Sequence, residues 1–158
     1  SLEQLLKNED LDLVLARARS YGSELDAILK DYKQNENVFI YSGKDIGKTA
    51  LKMLLDQRVD YILGLPEEIM YWSKQMKIKD KIRVLHLKEN QGRYDSWLGY
   101  VACPETEWGK RVIEDINKVL REQRPTKRYR QAYERWIDNS SLKRYRNLYE
   151  DYFLKINE

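Results

Sequence analysis

The stretch DIGKTALKMLLDQRVDYILGLPEE, residues 45–68, decides how the chain is read. Ile46, Ala50, Leu51, Leu54 and Leu55 recur at spacings of three and four, which lines one face of a helix and turns it toward a core. Asp45 stands at the helix start, where a carboxylate accepts from the free amides of the first turn. Residues 60–65 (DYILGL) then form a short, mostly apolar run of strand length, and Pro66 sits where a following helix begins. Helix, buried strand and second helix make the repeating unit of a parallel sheet. That places the chain in the α/β class.

The same alternation extends to both sides. Residues 11–19 (LDLVLARAR) read as a strand, and Ser20, Tyr21 and Gly22 turn the chain. Ser23 caps a helix with Asp26 three residues on, near a capping box, and Leu25, Ile28, Leu29 and Tyr32 form its stripe. Residues 38–41 (VFIY) give a second strand, and 42–44 lead into the central helix. After the 60–65 strand come a helix over 67–76, a strand at 82–87 (IRVLHL) and a strand at 97–102 (WLGYVA). Consecutive strand–helix units predict a three-layer α/β/α lobe with a mostly parallel sheet.

Beyond Pro104 only helices are expected. Trp108, Val112, Ile113, Ile116, Val119 and Leu120 share one face. Thr126 starts a second helix with Tyr129, Ala132, Tyr133, Trp136 and Ile137 on one side. Ser140 or Ser141 starts a third, with Leu142, Tyr145, Leu148, Tyr149, Tyr152 and Phe153. These stripes are expected to be buried. The chain therefore divides into an α/β lobe over 11–103 and a helical segment over 104–158.

Composition sets further limits. Hydrophobic residues at 42% and charged residues at 35% fit a globular chain and exclude a disordered one. No apolar run reaches the roughly 20 residues that span a bilayer, so the chain is not read as membrane-embedded. The opening SLEQLLKNEDL lacks the basic start and apolar segment of a signal peptide. Cys103 is the one cysteine, so no internal disulfide is available. Residues 107–158 hold 13 Lys and Arg against 9 Asp and Glu, which concentrates the positive surplus in the last third.

At this point a family resemblance enters. The run through Arg19-Ser-Tyr-Gly22, then KMLLDQRVDY (52–61), WLGYVA (97–102) and the closing Tyr133-Glu-Arg-Trp136 resembles extracellular solute-binding proteins of the amino-acid type, family 3. Those are periplasmic receptors of ABC importers that also serve as sensor domains. The resemblance implies a receptor lobe that closes by a hinge over a small molecule, partnered by a transporter permease or a signalling protein, in the periplasm. It also implies that this chain corresponds to the second lobe and the return segment of such a receptor. Weak ligand binding and self-association through the tyrosine-rich stripes are then expected. In amino-acid receptors the strand matching 60–65 ends in an Asp that takes the ligand's ammonium. Leu65, after Gly64, stands there in this chain, so a standard α-amino acid is not the expected ligand.

In an open parallel sheet, ligands sit beyond the carboxyl ends of the strands and against helix N-termini. Those ends are residues 17–23, 42–45 and 64–67. Arg19 supplies a charged fork, and Ser20, Tyr21, Gly22 and Ser23 present amides and hydroxyls at a helix start. Ser42, Gly43, Lys44 and Glu67 complete the expected ligand-binding set. The plainer account of the same residues is a capped turn with a solvated arginine.

Two other functions fit parts of the sequence. SGKDIGKT (42–49) nearly matches the phosphate-binding loop G-x-x-x-x-G-K-[ST] between a strand and a helix, with Ser42 in place of the first glycine. No later strand ends in the acid that would hold magnesium, and Asp45 inside the loop repels phosphate. KRYR at 127–130 and at 143–146 interleaves cations with tyrosine, as single-strand nucleic-acid binders do. Here, however, the tyrosines fall on the apolar stripes, so nucleic acid is not an expected partner. His86 is the one histidine, and the paired acids Glu67–Glu68, Glu114–Asp115 and Glu150–Asp151 are adjacent and point apart on a helix. Neither a catalytic arrangement nor a metal or cofactor site is read.

Overall fold

The computed structural model describes residues 1–92, 94 and 98–156, and the chain forms two compact units, Ser1–Gly92 and Arg93–Glu158. The first is built on three strands, β1 (Leu13–Ala16), β2 (Val38–Tyr41) and β3 (Tyr61–Ile62), in the order β2-β1-β3. Both pairings are parallel, with Leu13 opposite Val38 on one side and opposite Tyr61 on the other. The central strand is buried on both faces, which is why it reads as an unbroken apolar run.

Alternation along β1 sorts the core into two layers. Leu13 and Leu15 pack with Leu25 and Leu29 of α2 (Ser23–Tyr32) and with Leu2 and Leu6 of α1 (Leu2–Leu6). Val14 faces the other way, into Ala50 and Val59, with Ile46, Met53 and Leu54 of α3 (Ile46–Leu55) around them. Helices thus cover both faces of the sheet. The helix α1 was not anticipated. Two of its three leucines, Leu2 and Leu6, are fully buried, and Ser1 and Gln4 close a capping box at its start.

Local signals placed the helices well and their caps less well. Asp45 is the N-cap of α3, but it is left-handed (φ 51°) and its side chain makes no capping bond. Gly22, not Ser23, is the N-cap of α2, and Ser23 is already helical. Asp26 instead reaches back to the preceding turn, accepting from the Tyr21 amide (2.9 Å) and the Ser20 hydroxyl (2.5 Å). Pro66 opens α4 (Pro66–Gln75), as its fixed φ favours.

The expected fourth and fifth strands are corrected. Residues 82–87 belong to no strand and run between 3-10 turns at Lys79–Lys81 and Lys88–Asn90, and Leu85 is 69% exposed. A strand needs a partner's open edge, and β3 pairs through two residues before Gly64, Leu65 and Pro66 redirect the chain. That leaves almost no ladder for a fourth strand. Trp97 lies outside the described residues, and residues 98–102 belong to no strand.

The second unit is helical: α5 (Glu107–Gln123), α6 (Lys127–Glu134) and α7 (Leu142–Asp151). Thr106 and Thr126 cap α5 and α6 through their hydroxyls, and the Asp138 carboxylate accepts from the amides of Ser140 and Ser141 at the start of α7. Aromatic rings step from Tyr133 to Tyr145, Tyr149 and Phe153 with centroids 5.1, 5.7 and 5.2 Å apart. Arg124 is buried under this ladder, its guanidinium 4.5 Å from the Phe153 ring. The stripe of α5 departs from expectation. Trp108 and Val119 are 58% and 55% exposed, while Val112, Ile113, Ile116 and Leu120 of the same stripe are half-buried.

Two stability predictions follow from these details. Gln57 and Lys77 each follow a helix C-cap with φ near +55° to +58°, a conformation that costs a side-chain-bearing residue about 1 kcal/mol and glycine almost nothing. Gln57→Gly and Lys77→Gly are each expected to raise the midpoint of thermal unfolding followed by circular dichroism. The Tyr61 hydroxyl is buried with no hydrogen-bond partner among the described residues. Tyr61→Phe is therefore expected to stabilise the first unit by about 1 kcal/mol in urea titrations, and a loss of stability would refute that account of the hydroxyl.

Candidate functional site

Because β1 is the middle strand, the loop leaving it reaches the ends of both neighbours. The ladder continues one residue past β1, with the Arg17 amide donating to the Tyr41 carbonyl (2.8 Å). In that register Arg17 stands beside Ser42, and its Nε donates to the Ser42 hydroxyl at 2.7 Å. Ala18 then adopts a left-handed conformation (φ 57°), an uncommon and strained choice for alanine. Arg19 turns to the β3 side and pairs with the Glu68 carboxylate in the first turn of α4, also at 2.7 Å. The two arginines thus tie the exits of all three strands together.

The expected binding residues divide accordingly. Arg19 is neutralised by Glu68, and the hydrogen bond it donates to that carboxylate holds its pKa above the ordinary arginine value. Arg17, not singled out from the sequence, is the arginine that stands beside Ser42. The register of β1 on β2 would have revealed it, since each apolar pair leads one step further to Arg17 and Ser42. Ser20 donates to Asp26, and its hydroxyl accepts from the Gly22 amide (3.2 Å), so these groups hold the turn. The Tyr21 hydroxyl accepts from the Ala16 amide (2.9 Å) and its ring packs in the first core layer, where burial pushes its pKa up.

Ser23, Gly43 and Lys44 are exposed, and Glu67 is half-buried. The Tyr41 ring and hydroxyl lie against Gly43, where any side chain would displace them. Glu68 occupies a further position of consequence. A Cβ on Gly47 would come within 2.7 Å of its carboxylate, so the acid rests against the first turn of α3. The guanidinium of Arg19 and the positive end of that helix both favour a negative charge there.

That arrangement bears on the phosphate-loop alternative. The stretch 42–49 does run from strand to helix, but a carboxylate stands at Gly47 and the Lys48 ammonium lies 5.6 Å from the Trp72 ring centre. Both features oppose a phosphate in the loop. The tyrosine-and-cation motifs of the second unit are also partly committed. Arg146 donates to both Glu134 oxygens (2.8 and 3.0 Å), while Arg130 lies 3.0 Å from Glu134 and 2.9 Å from Glu150. Open grooves are present among the described residues of this unit. One, of about 400 Å³, is lined by Tyr94, Ser140, Lys143, Arg144, Asn147 and Leu148. Another, of about 360 Å³, runs along Cys103, Gly109 and Ile113. Among the described residues no cluster of His, Cys, Asp and Glu is arranged to hold a metal, and no helix is long and apolar enough to cross a membrane.

Glu134 is buried between two arginines, and the hydrogen bond from Arg146 holds its carboxyl below the usual range. Burial pushes the Asp138 carboxyl up, but bonds from Ser140 and Ser141 outweigh it and leave the pKa lowered. Groups with a depressed folded pKa add stability that is complete above the unfolded value and lost as pH falls through the folded one. Stability measured by urea titration is therefore expected to drop from about pH 4 downward. Glu134→Gln is expected to cost about 2 kcal/mol at neutral pH and to flatten that acid slope. An unchanged slope would show that other groups carry it.

Compared with protein-family models, with curated protein sequences and with solved structures, the chain matches none.

Proposed function

We propose that this chain is a solute-binding receptor domain whose ligand is small and anionic and docks at the carboxyl edge of the sheet. The observation that carries the reading is the pair of arginines leaving the central strand, one bonded to Ser42 just past β2 and the other to Glu68 in the first turn of α4, the helix that follows β3. Ligands of parallel sheets collect at that edge, where strand exits and helix starts converge. Arg19 is matched by Glu68, so the charge offered to solvent comes from Arg17 and Lys44, next to the Ser42 hydroxyl and the Gly43 amide. A carboxylate suits such a rim, since guanidinium and ammonium groups bind it with charge-assisted hydrogen bonds.

No bond is made or broken in this reading. The domain holds its ligand while a closing movement shields it, as the family resemblance implies, and hands it to an importer or transmits its presence to a signalling partner. The periplasm is the compartment consistent with that role. An open rim with one charged wall binds weakly by itself, because solvent screens the cations and no second surface excludes water.

Thermal shift and calorimetry with carboxylates and neutral sugars test the proposal. Anions are expected to bind in the millimolar range and neutral sugars not at all. Arg17→Ala and Lys44→Ala are each expected to weaken anion binding by about tenfold. Anion binding that survives both substitutions, or a preference for neutral sugars, would place the ligand elsewhere.

A further inference from the structure

The apolar face of α5 is the largest feature that the receptor reading leaves unused. Trp108 and Val119 are more than half exposed on one line of the helix, with Val112 and Ile116, both half-buried, between them. At its two margins the helix differs. One carries the apolar Ile113 and Leu120. The other carries, in order, Glu107, Arg111, Asp115, Lys118 and Glu122, acids alternating with cations.

We propose that α5 pairs with α5 of a second copy of this chain, antiparallel and across a two-fold axis. Direction follows from the margins. In an antiparallel pair each margin meets itself reversed, so apolar faces apolar and the charged margin faces a copy running the other way. A parallel pair would press the charged margin of one helix against Ile113 and Leu120 of the other and strip water from its carboxylates.

Register follows from the same residues. Setting Trp108 over Val119 of the second copy brings Asp115 beside Arg111 of the second copy and Glu107 beside Lys118 of the second copy. The three pairings agree to within two residues, about 3 Å along a helix. The two-fold axis doubles each, giving four opposite-charge contacts around a strip of Trp, Val and Ile. One helix pair is a small interface, so the dimer forms at high protein concentration and dissociates on dilution.

Sedimentation equilibrium on the full chain, from a few micromolar to several hundred micromolar, tests this. The parent chain is expected to pass from monomer to dimer. Asp115→Arg sets arginine against arginine and is expected to weaken association by about tenfold or more, while the exchange Arg111→Asp with Asp115→Arg restores it. Trp108→Glu with Val119→Glu is expected to abolish dimerisation with an unchanged circular dichroism spectrum. A chain that stays monomeric throughout, because its own first unit or a different protein covers the face, overturns the proposal. So does a dimer indifferent to Asp115→Arg, which would pair by another surface or in the parallel sense.

Discussion

Everything in the first unit depends on the double burial of β1. Leu13 and Leu15 close one layer and Val14 the other, and both edges of the strand are taken by parallel neighbours. A strand in that position has no solvent-facing side on which to place polar groups, so its polar residues accumulate where it ends. In this chain they are Arg17 and Arg19. The rim is therefore a consequence of the core: the segment that must be most apolar along its length delivers two cations, side by side, to the point where three strand exits meet.

Glu68 decides what those cations can do. Pro66 starts α4 at a fixed backbone angle, which brings the first turn of α4 to the exit of β1. Gly47 leaves space for the carboxylate against α3, and Arg19 closes on it from the other side. The pair is about a quarter exposed, so its direct contribution to stability is small, on the order of 1 kcal/mol or less. Its larger effect is to fix the electrostatics of the edge. One arginine is neutralised internally on the β3 side, and the net positive charge is left on the β2 side with Arg17 and Lys44.

Much of the first unit was legible because its signals are local and periodic. The helices α2, α3 and α4 and the strands β1 and β2 follow from apolar spacing and from Pro66, and the parallel α/β class follows from their order. What escaped was set by pairing. IRVLHL looks as much like a strand as VFIY does, but only VFIY found an edge to bond to. Leu2 and Leu6 lie in a helix of five residues, too short for periodicity to announce, though burial makes them core. At the rim, residue types were legible and partners were not. Arg17 beside Ser42 depends on register, and Tyr21 turned inward because the amide of Ala16 needed an acceptor.

The second unit answers a different constraint. Among its described residues there is no sheet to receive apolar faces, and α6 and α7 are joined through the Tyr133–Tyr145 contact and through Glu134 held between Arg130 and Arg146. The helix α5 needs neither. Its start is capped by Thr106, a Lys110–Glu107 pair lies in its first turn, and its length allows many successive backbone hydrogen bonds. Exposed ion pairs add little singly, and helices in water are rarely stable by propensity alone. A strongly amphipathic helix whose Trp108 and Val119 stay exposed therefore keeps part of its hydrophobic face unspent. Water contact at Trp108 and Val119 opposes that state, and the alternating charges beside them fix which direction of approach by a like helix relieves it.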